Sequence, residues 1–462
     1  MLTKSNKLNK KRIFKLLNQA ATVFIIILVI ANIIYHFQRI PGIPDNHDWP
    51  PVKKPLRYPQ DIRILPPPPK DIPYTEEELD TAIKFLNLPT WSRSYVHCSN
   101  PESEVTCSQV VRAYRLIKGW EDHNAKIPLE DRKYFIIQHP VKGMGNKMTT
   151  DINGFTMALM SNRSVLVTSN FPTKEGVVFQ HAYPFPPSVL TNRSQLPKKL
   201  QKPSRHFISV PTDIKWCCYN VSDLILSDKQ FVGINDLLYG PMIYVNKDTA
   251  KFARENFGIH CAYFVGNYFS HFPESAIERA KEVLALAPPG KRILGVHIRY
   301  HRAGQYYSHG FNQTMPIVYE EVDRRLAKED MMLAVATDNL EIKKMMFERY
   351  GSRILMTDAL RKPDKDHRSA QNDMALILGS DVIMATYRST FSWIIVSKSG
   401  RRAWWIEKEA PHWFPSMNSQ SMGVSMIYHW RDHCDWRTND RVQYCGKEHR
   451  KDLEYFYDYL VL

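Results

Sequence analysis

Three short stretches of this sequence carry side chains suited to gripping an anion. Gly143-Met144-Gly145-Asn146-Lys147 lies between an apolar run and a helical pattern. Its glycines let backbone come close to a ligand, the helix start behind them favours negative charge, and Asn146 can orient hydroxyls. The third glycine of a dinucleotide fingerprint is missing, so a structural tight turn explains the pattern equally well. Gly295-Val296-His297-Ile298-Arg299-Tyr300-His301-Arg302 ends a second apolar run, and no acid occurs between Lys291 and Gln305. His297 and Arg299 alternate onto one side, where a guanidinium offers a planar fork matched to phosphate oxygens. The competing reading is an ion-paired surface Arg and a satisfied structural His. In the third stretch, Gly379 to Trp393, a strand ends at Thr386 and Ser389 and Thr390 open a helix. Hydroxyls and N–H groups gathered there suit an anion, although a plain N-cap needs only one of them.

Ligands of open α/β sheets bind beyond the carboxyl ends of the strands, so these stretches need strands behind them and helices after them. Apolar patterning supplies both. Tyr134 to Ile137 predicts a strand, His139 to Asn146 a loop, Lys147 to Ser161 a helix and Val165 to Thr168 a strand. A second alternation predicts strands at Ile293 to Ile298, Met332 to Ala336, Ile354 to Met356, Val382 to Ala385 and Ala403 to Ile406. Helices between them are predicted at Leu340 to Tyr350, Ser369 to Leu378 and Thr390 to Lys398. Continuous apolar strands alternating with helices imply an α/β fold with parallel sheets covered on both faces. Two α/β lobes with a cleft between them, residues 75–290 and 291–462, are the simplest architecture. Residues 170–213 are basic, Pro-rich and irregular.

The chain has 462 residues with Lys and Arg outnumbering Asp and Glu by 62 to 47. That excess suits anionic partners, and 44% hydrophobic content excludes wholesale disorder. Residues 1–15 carry six basic side chains and no acid, and Leu16 to Tyr35 follow without a charge. This predicts a cytosolic tail, a signal anchor at 16–35 and a lumenal remainder; no small-residue cleavage site follows the apolar run. Between Pro41 and Pro73 there are 11 prolines in 33 residues, so 36–74 is read as an extended stem. Lumenal exposure agrees with glycosylation sequons at Asn162, Asn192, Asn220 and Asn312. Among seven cysteines, Cys98 with Cys107 and Cys434 with Cys445 are the natural local disulfides, preferred to zinc because no two CxxC pairs occur.

Taken together, the three stretches resemble the fucosyltransferase superfamily that uses GDP-fucose, in particular the α-1,2-fucosyltransferases and the plant xyloglucan fucosyltransferase branch. The family order is a GxGN loop, His/Gln-x-Arg on a second-domain strand, then Ser-Asp before a strand and an STF-type turn. It occurs here as Gly143, Gly145 and Asn146, then His297 and Arg299, then Ser380, Asp381, Ser389, Thr390 and Phe391. The resemblance covers residues 134–168 and 292–406. Where the α-1,2 family has a second Arg and an Asp, Tyr300, His301 and Arg302 stand here; the plant branch also lacks that pair, and Arg302 is the candidate for the missing charge.

The resemblance implies a GT-B-like fold of two facing Rossmann-like domains, with acceptor chemistry in the first and the nucleotide sugar in the second. It implies inverting transfer of fucose from GDP-fucose to a glycan hydroxyl without a metal, at the Golgi membrane in a single-pass type II protein. Donor contacts would come from His297, Arg299, Arg302, Ser389, Thr390 and Phe391, with Gly143, Gly145 and Asn146 on the sugar side. A nucleotide sugar and a glycan acceptor are the implied partners, not nucleic acid; no sequence feature sets an oligomeric state. Asp338, Asp373 and His297 are candidates for a general base. Asp364-Lys365-Asp366 has the spacing of a metal-binding DxD motif, but it lies in a basic loop and not after an apolar strand. The rival readings are transfer from another nucleotide sugar, a sulfotransferase and an anchored lectin. A sulfotransferase needs a phosphate loop after its first strand, whereas Ser397-Lys398-Ser399-Gly400 ends a helix.

Overall fold

The computed structural model describes residues 71–139, 143–169, 183–191, 193–201, 208–210, 227–235, 243, 247–258, 260–299, 311–357, 368–386, 389–401 and 403–406. All lie in the compact unit Arg63–Leu462. The expected tail, anchor and nearly all of the stem fall outside them, as do Arg302, Asn192, Asn220, Asp364 to Asp366, Cys434 and Cys445. Among the described residues no helix is long and apolar enough to cross a membrane.

Helix α1 (Glu76–Phe85) starts on Thr75, whose side chain accepts from the Glu78 N–H, with acids filling the first turn. Helix α2 (Cys107–Lys126) starts on a capping box between Thr106 and Gln109. A disulfide ties Cys98 to Cys107, the first residue of this helix. Strand β1 (Tyr134–His139), helix α3 (Met144–Met160) and strand β2 (Ser164–Ser169) form a βαβ unit. A short helix α4 (Lys198–Gln201) precedes β3 (Ile208–Val210) and β4 (Phe231–Asn235). These strands make a parallel sheet ordered β2-β1-β4-β3. Among the described residues, α5 (Lys247–Phe257), α6 (Cys261–Phe269) and α7 (Glu274–Leu284) follow.

The second sheet starts with β5 (Ile293–Ile298) and continues through α8 (Phe311–Lys328), β6 (Met332–Thr337), α9 (Leu340–Tyr350) and β7 (Ile354–Leu355). It ends with α10 (Arg368–Leu378), β8 (Val382–Thr386), α11 (Thr390–Ser399) and β9 (Trp404–Ile406). The order is β7-β6-β5-β8-β9, parallel throughout. The chain thus builds outward from β5 in one direction and then in the other. The switch point between β5 and β8 is where such sheets bind ligands. Residues of β5 and β6 are buried without exception, which is why their sequences are apolar on both faces.

One apolar cluster runs from Phe135, Val165 and Val232 of the first sheet to Ala334, Ile383 and Ala385 of the second, through side chains of α3, α6 and α11. Helix α6 is buried on every side. Gly154 lets α3 press onto the first sheet, where a Cβ would meet Ile137 Cγ1 at 2.7 Å. Residues from before position 291 also dress the second sheet: α7 packs on α10, and Arg93 Nε donates to Asp381 at 3.0 Å. Helix α3 opens at Met144, so Gly145 and Asn146 belong to its first turn and not to a loop. The Asn146 and Lys147 N–H groups close onto the Gly143 carbonyl at 3.1 and 3.3 Å.

Candidate functional site

The three stretches, far apart in sequence, converge at the carboxyl end of the second sheet. The first turns of α3 and α11 touch: a Cβ on Gly145 would lie 2.7 Å from the Phe391 nitrogen and 2.9 Å from its Cα. Only a glycine permits this approach, because the obstructing atoms are backbone. Beside it, Thr390 Oγ1 donates to Asn146 Oδ1 at 2.6 Å. The Phe391 ring stacks on His297 with centroids 4.5 Å apart and planes 20° apart. Ser392 Oγ lies 2.6 Å from His297 Nδ1, locking the imidazole against α11. Ser389 is the N-cap of α11, and Gly143 is that of α3.

Arg299 stands one residue beyond β5. The backbone ladder between β5 and β8 stops at His297 and Ala385, and the Thr386 hydroxyl takes over. It accepts from the Arg299 N–H at 2.9 Å and donates to the His297 carbonyl at 2.8 Å. On the other side, Arg299 Nη1 contacts Asp338 Oδ2 at 2.6 Å. Neither Thr386 nor Ser392 was singled out by sequence; their only signal was position, at a strand end and in a helix first turn.

The charges gathered here are mostly positive. Two helix N-termini meet, and neither first turn contains an acid. Lys147 adds a cation in the first turn of α3, a place that favours anions. Burial lowers its amine pKa, with Asp151 one turn on pushing back. Asp151 is wholly buried and bonded to His139 Nε2 at 2.7 Å, while its other oxygen accepts from the Tyr183 hydroxyl. That network braces α3 against the end of β1, and burial pushes the Tyr183 phenol well up. Burial, and secondarily Arg299, pull His297 down to about 3. A ring so weakly basic and only 3% exposed is a platform for Phe391 and not an efficient proton acceptor.

Other candidates fall elsewhere. Asp373 faces the wall of the sheet, where Thr357 Oγ1 donates to it at 2.7 Å and Lys343 Nζ lies 3.8 Å away. Ser380 and Asp381 sit at the amino end of β8, away from the site: Ser380 Oγ donates to the Leu376 carbonyl and Asp381 accepts the Ile293 N–H at 2.8 Å. Both are structural in this setting. Lys398 is fully buried with Nζ on the Gly266 carbonyl at 2.6 Å, so the segment around it is no phosphate loop. Asn162 is exposed in a left-handed turn after α3, and the Asn312 side chain lies outside the described residues.

No family model matches the chain, and no curated protein matches it in sequence. In fold it is similar to the solved structure of a point mutant of Arabidopsis thaliana FUT1 in complex with GDP, at 12% identity and a TM-score of 0.47, covering 65% of this chain and 79% of that one. It is also similar to fucosyltransferase NodZ from Bradyrhizobium, at 12% identity and a TM-score of 0.38, covering 63% of this chain and 99% of the other. POFUT1 in complex with GDP is similar at 14% identity and a TM-score of 0.36, over 58% of this chain and 95% of that one.

Proposed function

We propose that the chain is a lumenal, membrane-anchored glycosyltransferase that transfers fucose from GDP-fucose to a glycan hydroxyl with inversion. One observation carries the reading: Gly145 and Asn146, His297 and Arg299, and Thr390 and Phe391 form one contiguous cluster at the switch point of a doubly wound sheet. Each of these stretches alone has an ordinary structural explanation. Their meeting at the ligand-binding end of the sheet does not follow from three independent turns.

The cluster fits a nucleoside diphosphate leaving group. As the bond from sugar C1 to the β-phosphate oxygen breaks, negative charge grows on the diphosphate. Arg299 and the two helix N-termini are positioned beforehand to stabilise it. The acceptor oxygen bonds to C1 from the opposite face and gives up its proton to solvent water, since no side chain of the cluster is assigned as its base. With positive charge supplied by the protein, the chemistry requires no metal ion. GDP and fucose are chosen over other nucleotide sugars on the sequence resemblance. A type II anchor at 16–35, a stem and Golgi residence complete the proposal, supported by the charge step across Leu16 to Tyr35 and the four sequons.

The test is a panel of nucleotide sugars offered to the purified lumenal part, with donor hydrolysis and transfer as readouts, with and without EDTA. GDP-fucose turnover that persists in EDTA is expected. Turnover of a UDP-sugar, or activity lost in EDTA and restored by Mn²⁺, moves the chain to another donor class; no turnover and no GDP affinity favour a lectin.

A further inference from the structure

Arg299 is paired with a carboxylate of the protein's own, Asp338 Oδ2, at 2.6 Å. Sheet register explains the meeting. Ile298 pairs with Thr337, so Arg299 and Asp338 are each the first residue beyond adjacent parallel strands. The turn holding Asp338 is pinned by its neighbours: the Asn339 N–H donates to Thr337 Oγ1 at 3.3 Å, and the Asn339 side chain caps α9. Asp338 is therefore not needed as the cap. The two side chains keep 34% and 29% of their surface exposed, within reach of a ligand arriving from solvent. A pair so hydrated contributes little to stability. It nonetheless places an acid against the cation of a cluster whose two helix first turns contain none.

We propose that Asp338 is an internal counter-ion to Arg299 that the donor diphosphate must displace or share, and that it limits how tightly GDP is held after transfer. The inference rests on the reading of Arg299 as a diphosphate ligand. A fixed negative charge beside the guanidinium weakens the grip on an anion, and its return to Arg299 assists departure of the product. Asp338 is on this view a positioning residue, not the general base. Removing its charge makes product binding tighter and turnover slower, a pattern that mere structural damage does not produce.

The experiment is calorimetric titration of GDP into the wild-type protein, Asp338→Asn and Arg299→Ala, with melting temperatures measured alongside. Asp338→Asn is expected to bind GDP about three- to tenfold more tightly, the scale of one partly screened charge at close range. In GDP-fucose hydrolysis it is expected to lower KM and kcat together. Equal or weaker GDP affinity in a folded Asp338→Asn protein overturns the inference; if that variant does not fold, Asp338→Ser is read in the same way. Arg299→Ala separates the two levels: GDP affinity unchanged in this variant removes the diphosphate reading itself, whatever Asp338 does.

Discussion

Replacing Gly145 by alanine tests the contact on which the site is built. The added Cβ lies 2.7 Å from the Phe391 nitrogen and 2.9 Å from the Thr390 carbonyl carbon, backbone atoms that cannot rotate away. Restoring ordinary contact requires the first turns of α3 and α11 to part by about 0.8 Å. Overpacking of this kind costs about 1–3 kcal/mol, while alanine in a helix recovers about 0.5–1 kcal/mol over glycine. The clash wins, and the net loss is about 1–2 kcal/mol, or a few degrees in Tm for a domain of this size. The same displacement stretches the 2.6 Å bond between Thr390 and Asn146 to the edge of hydrogen bonding and carries Phe391 off His297. GDP affinity is expected to fall by roughly tenfold or more. Gly119→Ala, exposed in α2, is the internal control, since nothing lies within 4 Å of its added Cβ. Melting curves and GDP titrations on both variants decide the matter. If Gly145→Ala behaves like Gly119→Ala in both, the two helix starts do not make a site.

Further outcomes concern buried titratable groups. Burial lowers Lys398 to about 7, below its unfolded value near 10.5, so its stability contribution is full above pH 10.5 and is lost as pH falls toward 7. Lys398→Met should therefore raise Tm most below pH 7 and progressively less toward pH 10; the Gly266 carbonyl keeps the Ser270 N–H at 3.2 Å. A gain that grows with pH contradicts the assignment. His260 and His297, lowered by burial to about 4 and about 3, favour the folded state above pH 6.5. Unfolding free energies from urea titrations, and the midpoints with them, should fall between pH 6.5 and 4, the free energy by about 1.4 kcal/mol per pH unit for each ring, a slope that His260→Gln and His297→Gln reduce. A midpoint flat across that range contradicts neutral buried rings.

Much of the local structure was legible because parallel strands buried on both faces leave continuous apolar runs: the second sheet's strands and α9, α10 and α11 fall within a residue or two of their sequence readings. Helix α8 was not, since Pro316 lies inside it and breaks the expected pattern. Helix α6 escaped because it is apolar all round and has no period to detect. Within the site, residue types announced anion chemistry, but the bond between Thr390 and Asn146 spans 244 residues, a separation no local pattern encodes. Ser380 and Asp381 show the converse. They resemble a motif, yet they lie at the amino end of β8, and only the direction of the strand reveals that Asp381 holds the start of β5.

The central claim is that Arg299, with the two helix starts beside it, grips a nucleoside diphosphate, and the most direct measurement is calorimetric titration of GDP into Arg299→Ala and Arg299→Lys beside the wild-type protein. Loss of charge-assisted hydrogen bonds worth about 1.5–3 kcal/mol predicts GDP affinity about one to two orders of magnitude weaker in Arg299→Ala. Little is recovered in Arg299→Lys, because an ammonium cannot reproduce the planar fork. GDP affinity equal to wild type in a folded Arg299→Ala protein, or no GDP binding by the wild-type chain itself, contradicts the claim.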